Sequence, residues 1–181
     1  MIVRSEEILR LLIVAEERDR GFALMVDSWT EPLYWHLRRM LVVHEEAEDA
    51  LQDVWIKVYS SLDNYHGGPE GLRSWCYRIA TNEALDRLRR RCRWRWVTLD
   101  SVGAELAELI TLGSDGENDS VEVRFQRAIL SLPAKQRLIF NLRYYDEMEY
   151  SEISRVTGIG EGACRTNYHY AQQRIKDFMI G

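Results

Sequence analysis

Apolar residues at helical spacing run through nearly the whole chain, and this periodicity constrains the fold more than any other feature. From His44 to Tyr59 (HEEAEDALQDVWIKVY), Ala47, Leu51, Val54, Trp55, Val58 and Tyr59 make one stripe, while Glu46, Asp49, Gln52 and Asp53 make an opposing polar row. Near the C-terminus Cys164, Tyr168, Ala171, Ile175 and Phe178 repeat the pattern at three- and four-residue steps. Only three prolines interrupt the 181 residues. The expected class is all-α, with two small helical domains joined by a flexible acidic linker and a helix-turn-helix in the second.

Boundaries follow from composition and turn formers. Residues 1–18 read as a helical N-terminal extension, 19–96 as the first domain, 97–120 as the linker and 121–181 as the second domain. In the first domain Pro32 is expected to break or kink an opening helix (Phe22, Met25, Val26, Trp29) and part it from a second (Leu33, Leu37, Met40, Leu41). The acidic-faced helix follows, then a loop dense in turn residues (DNYHGGPEG), then a basic helix over Leu72–Arg95. The linker contains GSDGENDS, with a short helical turn expected at Leu106, Leu109 and Ile110. In the second domain a helix through Phe125, Ile129 and Leu132 ends near Pro133, which suits the first turn of the next helix. Gly158 and Gly160 mark the later turn between a short helix and a longer one, where glycine permits left-handed backbone.

The net charge of −5 hides a segregation into blocks. Met1–Leu72 holds seven bases against fourteen acids, Arg73–Trp96 eight arginines against Glu83 and Asp86, and Val97–Val123 seven acids with no base. Blocks of one sign speak of partners more directly than the total does. No run reaches the roughly 18 apolar residues of a membrane span, so membrane insertion is not expected. The short apolar patch Ile8–Ala15 is flanked by acids, unlike a secretion signal. Cys76, Cys92 and Cys164 have no metal-ligand or C-x-x-C spacing, and the four histidines are unpaired in sequence. The expectations are a cytoplasmic protein with no metal, no cofactor and no catalytic residues.

Three faces carry chemistry. On the last helix Arg165, Thr166, His169, Gln172, Gln173 and Lys176 point away from the apolar stripe; arginine can pair bidentately with guanine, and glutamine with adenine. On the basic helix Arg78, Asn82, Asp86 and Arg89 share a face among Trp75, Tyr77, Trp94 and Trp96, a mixture suited to phosphates and unstacked bases. The acidic row of the His44–Tyr59 helix would oppose a basic protein surface. Each also has a plainer reading, as a solvated face or, for Trp75, a core position. Two other classes stay open: a stand-alone duplex-binding regulator, and a metal-dependent hydrolase using His44, Glu45, Glu48 and Asp49.

These segments, in this order, resemble the sigma-70 family of bacterial RNA polymerase sigma factors, of the extracytoplasmic-function (ECF, group IV) type. HEEAEDALQDVWIKVY is similar to the polymerase-binding segment, LRSWCYRIATNEALDRLRRR to the −10 and promoter-melting helix, and LPAKQRLIFNLRYYDEMEYSEISRVTGIGEGACRTNYHYAQQRIK to the −35 domain. The resemblance implies a non-catalytic transcription initiation factor that recruits core RNA polymerase to promoter DNA. It implies that Glu46, Asp49, Gln52 and Asp53 meet the clamp helices of the largest subunit, and that the apolar surface around Leu138 and Leu142 meets the flap. It implies that Asn82 and the loop Tyr65, His66, Gly67 and Gly68 hold a flipped base, with Arg73, Arg78, Asp86, Arg89 and Arg90 along −10 DNA. Arg165, Thr166, His169, Tyr170 and Gln173 would face the −35 groove, and an anti-sigma factor is the implied regulator. The chain departs from the pattern at Asn167, Tyr170, Gln172 and Gln173, where further bases are common, and at Gly160, where a serine or threonine cap is common.

Overall fold

The computed structural model describes residues 2–95 and 120–181, with side chains described for 4–91 and 120–181. The expected turn at Leu106, Leu109 and Ile110, the side chains of Trp94 and Trp96, and the linker as far as residue 119 lie outside the described residues. Among those described, every regular element is helical: α1 (Ile2–Ile13), α2 (Arg18–Leu41), α3 (His44–Ser61), α4 (Pro69–Arg95), α5 (Val121–Leu130), α6 (Ala134–Tyr144), α7 (Tyr150–Thr157) and α8 (Glu161–Ile180).

Pro32 does not break its helix. α2 runs unbroken for 24 residues with Pro32 inside it. An interior proline costs about 3 kcal/mol, but Met25, Trp29, Leu33, Leu37 and Met40 lie buried on both sides of it. At roughly 1.5–3 kcal/mol for each large apolar side chain removed from water, that burial outweighs one lost hydrogen bond. α1 adds Ile8 and Leu11 to the buried set and lies against both α2 and α4, so the N-terminal segment shares the first domain's core. Between α2 and α3 the chain turns at Val42, a β-branched residue at φ 66° whose N–H donates to the Arg38 carbonyl at 2.9 Å.

The α3 stripe buries Ala47, Val54 and Val58, with Ala50 beside them, while Tyr59 remains largely exposed. Its ring meets Phe22 edge-on at 4.9 Å and its hydroxyl donates to Asp19 at 3.1 Å. α8 buries Cys164, Ala171 and Ile175 against α5 and α6, but Phe178 near the chain end is exposed and borders a shallow cleft with Arg124 and Arg127. Of the two turn glycines only Gly158 is left-handed, at φ 72°, with its N–H closing α7 onto the Ser154 carbonyl. Gly160, at φ −58°, is the N-cap of α8 and offers no side-chain cap.

The two domains share one core. Leu37, Tyr77 and Ala80 of the first and Leu138, Ile139, Leu142, Met148, Ile153 and Val156 of the second belong to a single buried cluster, with α4 lying against α7. Leu138 and Leu142 are therefore not an exposed apolar surface: Leu142 is fully buried, and Leu138 faces Met40, Leu85 and Leu88 across a small gap. An apolar stripe on a short helix is covered by whatever apolar surface is nearest, and here that is the first domain.

Candidate nucleic-acid interface

α8 presents Arg165, Thr166, His169, Tyr170 and Gln173 to solvent, on the side away from its buried stripe. The Arg165 guanidinium lies 5.2 Å over the ring of Tyr150 at the start of α7, and Tyr150 in turn meets Tyr168 edge-on. The aromatic platform fixes where that charge is held, so Tyr150 positions a residue that periodicity alone had only placed on a face. Thr166 is less free, because its hydroxyl donates back to the Gly162 carbonyl at 3.0 Å.

Along α4, Arg78, Asn82, Arg89 and Arg90 are exposed, and Asp86 accepts from Arg89 at 2.9 Å. The neighbouring loop is tightly built. Tyr65 packs its ring 5.0 Å from Trp75 and donates its hydroxyl to the Gly68 carbonyl. A Cβ on Gly67 would stand 2.5 Å from that hydroxyl, so only glycine lets the loop close over the ring. Burial, reinforced by the negative charge of Glu70, pushes the Tyr65 phenol up to about 12, which keeps it a donor. His66 stays exposed at the loop tip.

Arg73 differs from its neighbours. Its guanidinium donates to the Asp146 carbonyl at 2.7 Å, approaches Glu152 at 3.7 Å and lies over Tyr77 at 5.2 Å. The expected DNA contact is here committed to the second domain. Asp146 is the centre of that junction. Its nearly buried carboxylate accepts from Arg39 at 2.6 Å, from His36 Nδ1 at 3.2 Å and from the Tyr77 hydroxyl at 3.3 Å. His36 is itself fully buried, with Nε2 3.0 Å from the Thr81 hydroxyl. Burial alone would raise the Asp146 carboxyl, but His36 and Arg39 outweigh it and hold the group below the usual carboxylate range.

On α3 the polar row divides. Asp49 and Gln52 are exposed, whereas Asp53 accepts from Arg87 at 2.5 Å and Glu46 lies 3.6 Å from Arg91. His44 is 2.7 Å from the Tyr34 hydroxyl and 3.4 Å from Glu48, pairings that leave the suggested hydrolase cluster as ordinary surface contacts. Asp146 and His36 were missed in the sequence, yet His36 was within reach of the helical register. With Trp29, Leu33 and Met40 it completes the buried face of α2.

Residues 25–94 match the family model of sigma-70 region 2, and residues 122–175 match that of sigma-70 region 4. The chain belongs to the sigma-70 family. The sigma factor is 29% identical over 164 residues to the ECF RNA polymerase sigma factor SigW of Bacillus subtilis, covering 86% of this chain and 87% of that one. It is 30% identical over 170 residues to the ECF sigma factor SigE of Mycolicibacterium smegmatis, covering 88% and 64% of the two chains. These likenesses place the sigma factor in the ECF type. Among solved structures, CnrH in complex with the cytosolic domain of CnrY aligns at a TM-score of 0.68 and 17% identity, over 99% of this chain and 96% of that one. RpoE of Bartonella quintana, in complex with the anti-sigma factor NepR, aligns at 0.67 and 18%, over 89% and 98%. Both share the all-helical two-domain fold of the sigma factor.

Proposed function

We propose that this promoter-recognising initiation factor divides its work among three exposed faces, with residues 19–96 and 121–181 as its functional domains. Asp49, Gln52 and Asp53 on α3, with Glu46, engage core RNA polymerase. Arg78, Asn82, Asp86, Arg89 and Arg90 on α4, with the Tyr65–Gly68 loop, engage the −10 element, and Asn82 helps to hold a flipped base. Arg165, Thr166, His169, Tyr170 and Gln173 on α8 read the −35 groove. The observation that carries this reading is the exposure of Asn82 and its arginines along α4, the helix whose first turns carry the glycine loop closed over Tyr65.

The protein acts as a non-catalytic specificity subunit in the cytoplasm; among the described residues no helix is long and apolar enough to cross a membrane. Its closed arrangement is a resting form. Arg73, Leu138 and Leu142 become available to DNA and to the polymerase flap only when the second domain leaves the first. An anti-sigma factor, the kind of partner present in the RpoE structure, would act by favouring that closed form.

Replacing Asn82 with alanine tests the reading. Capturing an extruded base offsets part of an unstacking cost of a few kcal/mol, so the variant should open promoter DNA poorly while still forming closed complexes with core polymerase. Permanganate footprints as strong as those of the wild type would remove Asn82 from the role. A stand-alone regulator would instead bind promoter duplex equally well with and without core polymerase in a gel-shift titration.

A further inference from the structure

α3 and α4 are joined by four charges in sequence: Lys57, Glu83, Arg87 and Asp53. Glu83 is only 2% exposed, the most deeply placed charged residue of α4 among the described residues. Both of its oxygens are used. Oε2 accepts from the Lys57 ammonium, and Oε1 accepts from Arg87 Nε at 2.6 Å. The guanidinium is a rigid plane, so holding Nε fixes the direction in which the far nitrogen points. That nitrogen donates to Asp53 Oδ2 at 2.5 Å, and the Asp53 side chain remains about half exposed. One turn further along the same seam Arg91 approaches Glu46.

The geometry points to Glu83 as a positioning residue for polymerase docking: through Arg87 it sets how Asp53 presents its second carboxylate oxygen. Glu83 touches neither partner itself. It is adjacent to Asn82, which is exposed and lies about 100° round the helix from it, so a single stretch of α4 bears on the protein-facing row and the DNA-facing row together. Two features of its surroundings fit a fixed anionic anchor. Burial works against its ionisation, yet Lys57 and Arg87 together hold the carboxyl below its ordinary value. And Arg87 is itself held charged by Glu83 and Asp53 against its own burial.

This inference rests on the reading that Asp53 faces the polymerase, and a double-mutant cycle separates the two. Full-length protein is titrated against bacterial core RNA polymerase, with unfolding measured in parallel. Asp53→Asn and Glu83→Gln should each weaken core binding by about tenfold, the scale of one charge-assisted hydrogen bond. Combined, they should lose no more than the worse single change, because they remove one shared interaction, while their effects on unfolding need not overlap. If Asp53→Asn weakens binding and Glu83→Gln does not, or if the two losses multiply, Glu83 has no positioning role and the polymerase face stands. If Asp53→Asn binds normally, both readings fall. Should Glu83→Gln not fold, Arg87→Lys takes its place in the cycle, since lysine keeps the charge beside Glu83 but cannot bridge to Asp53 with a second nitrogen.

Discussion

Replacing Asp146 should loosen the junction between the two domains more than any other single polar change. Its carboxylate takes three donors, from His36, Arg39 and Tyr77, all on the first domain, and its side chain is 3% exposed. Asp146→Asn keeps the shape and one acceptor oxygen. His36 can adapt by moving its proton to Nε2, where the Thr81 hydroxyl can accept it, so the main loss is the charge opposite Arg39. A hydrogen bond to a charged group contributes about 1.5–3 kcal/mol, and Arg39 recovers part of that from water, being 18% exposed. The expected cost is about 2 kcal/mol, a shift of roughly 30-fold in the opening equilibrium. Asp146→Ala takes the acceptor from both Arg39 and the Tyr77 hydroxyl and should cost about 4 kcal/mol, in the range for breaking a buried ion pair.

Small-angle scattering should show an enlarged radius of gyration for the alanine variant, urea unfolding should report the lost stability, and core polymerase should bind both variants at least as tightly as the wild type. If Asp146→Ala unfolds within about 0.5 kcal/mol of the wild type, inside the scatter of ordinary surface substitutions, and stays as compact, the junction does not depend on this carboxylate. The pH dependence has a definite sign. The folded value is depressed, so the stabilisation is complete above the unfolded carboxylate range, near about 4, and disappears as pH falls through the folded value. The stability gap between wild type and Asp146→Asn should shrink as the pH falls below the unfolded carboxylate range.

Two further expectations follow from local geometry. Glu147 is exposed at φ 52°, where a side chain costs about 1–2 kcal/mol that glycine does not incur. After allowing for the greater freedom of glycine in the unfolded chain, Glu147→Gly should raise stability by about 0.5–1 kcal/mol and Tm by a few degrees; a lower Tm would show that the turn is not strained. Arg165→Ala should weaken holoenzyme binding to a −35-containing duplex by about 1–3 kcal/mol and relax sequence preference at one position, with the salt slope nearly unchanged. A uniform loss across sequences with a shallower slope would make Arg165 a phosphate contact instead.

Much of the molecule was legible because helices declare themselves locally. The stripe Ala47, Val54, Val58 gave α3 its orientation, and Cys164, Ala171, Ile175 did the same for α8, so the outward faces followed. Pro32 misled because its cost is local while the burial that overrides it is tertiary. Leu138 and Leu142 were recognised as apolar, but periodicity states only that a face needs covering and not by what. Asp146 sits in YYDE, which reads as a surface turn; its burial depends on four side chains more than 60 residues earlier in the chain. Glu83 looked like one acid in a basic run, and its importance lies in two partners a turn away and a helix away.

The corner at Val42 has a bearing on how the protein comes to be folded. A bulky β-branched residue held at φ 66°, ψ −38° is opposed by its own backbone by about 1–3 kcal/mol, so the bend between α2 and α3 cannot arise from local preference. It is imposed from outside, once α3 has found its place against α2 and against α4, the later helix. A nascent chain emerging from the ribosome should therefore hold α2 and α3 as loosely hinged rods until α4 has been synthesised. The first domain would then close as one late, cooperative event rather than helix by helix.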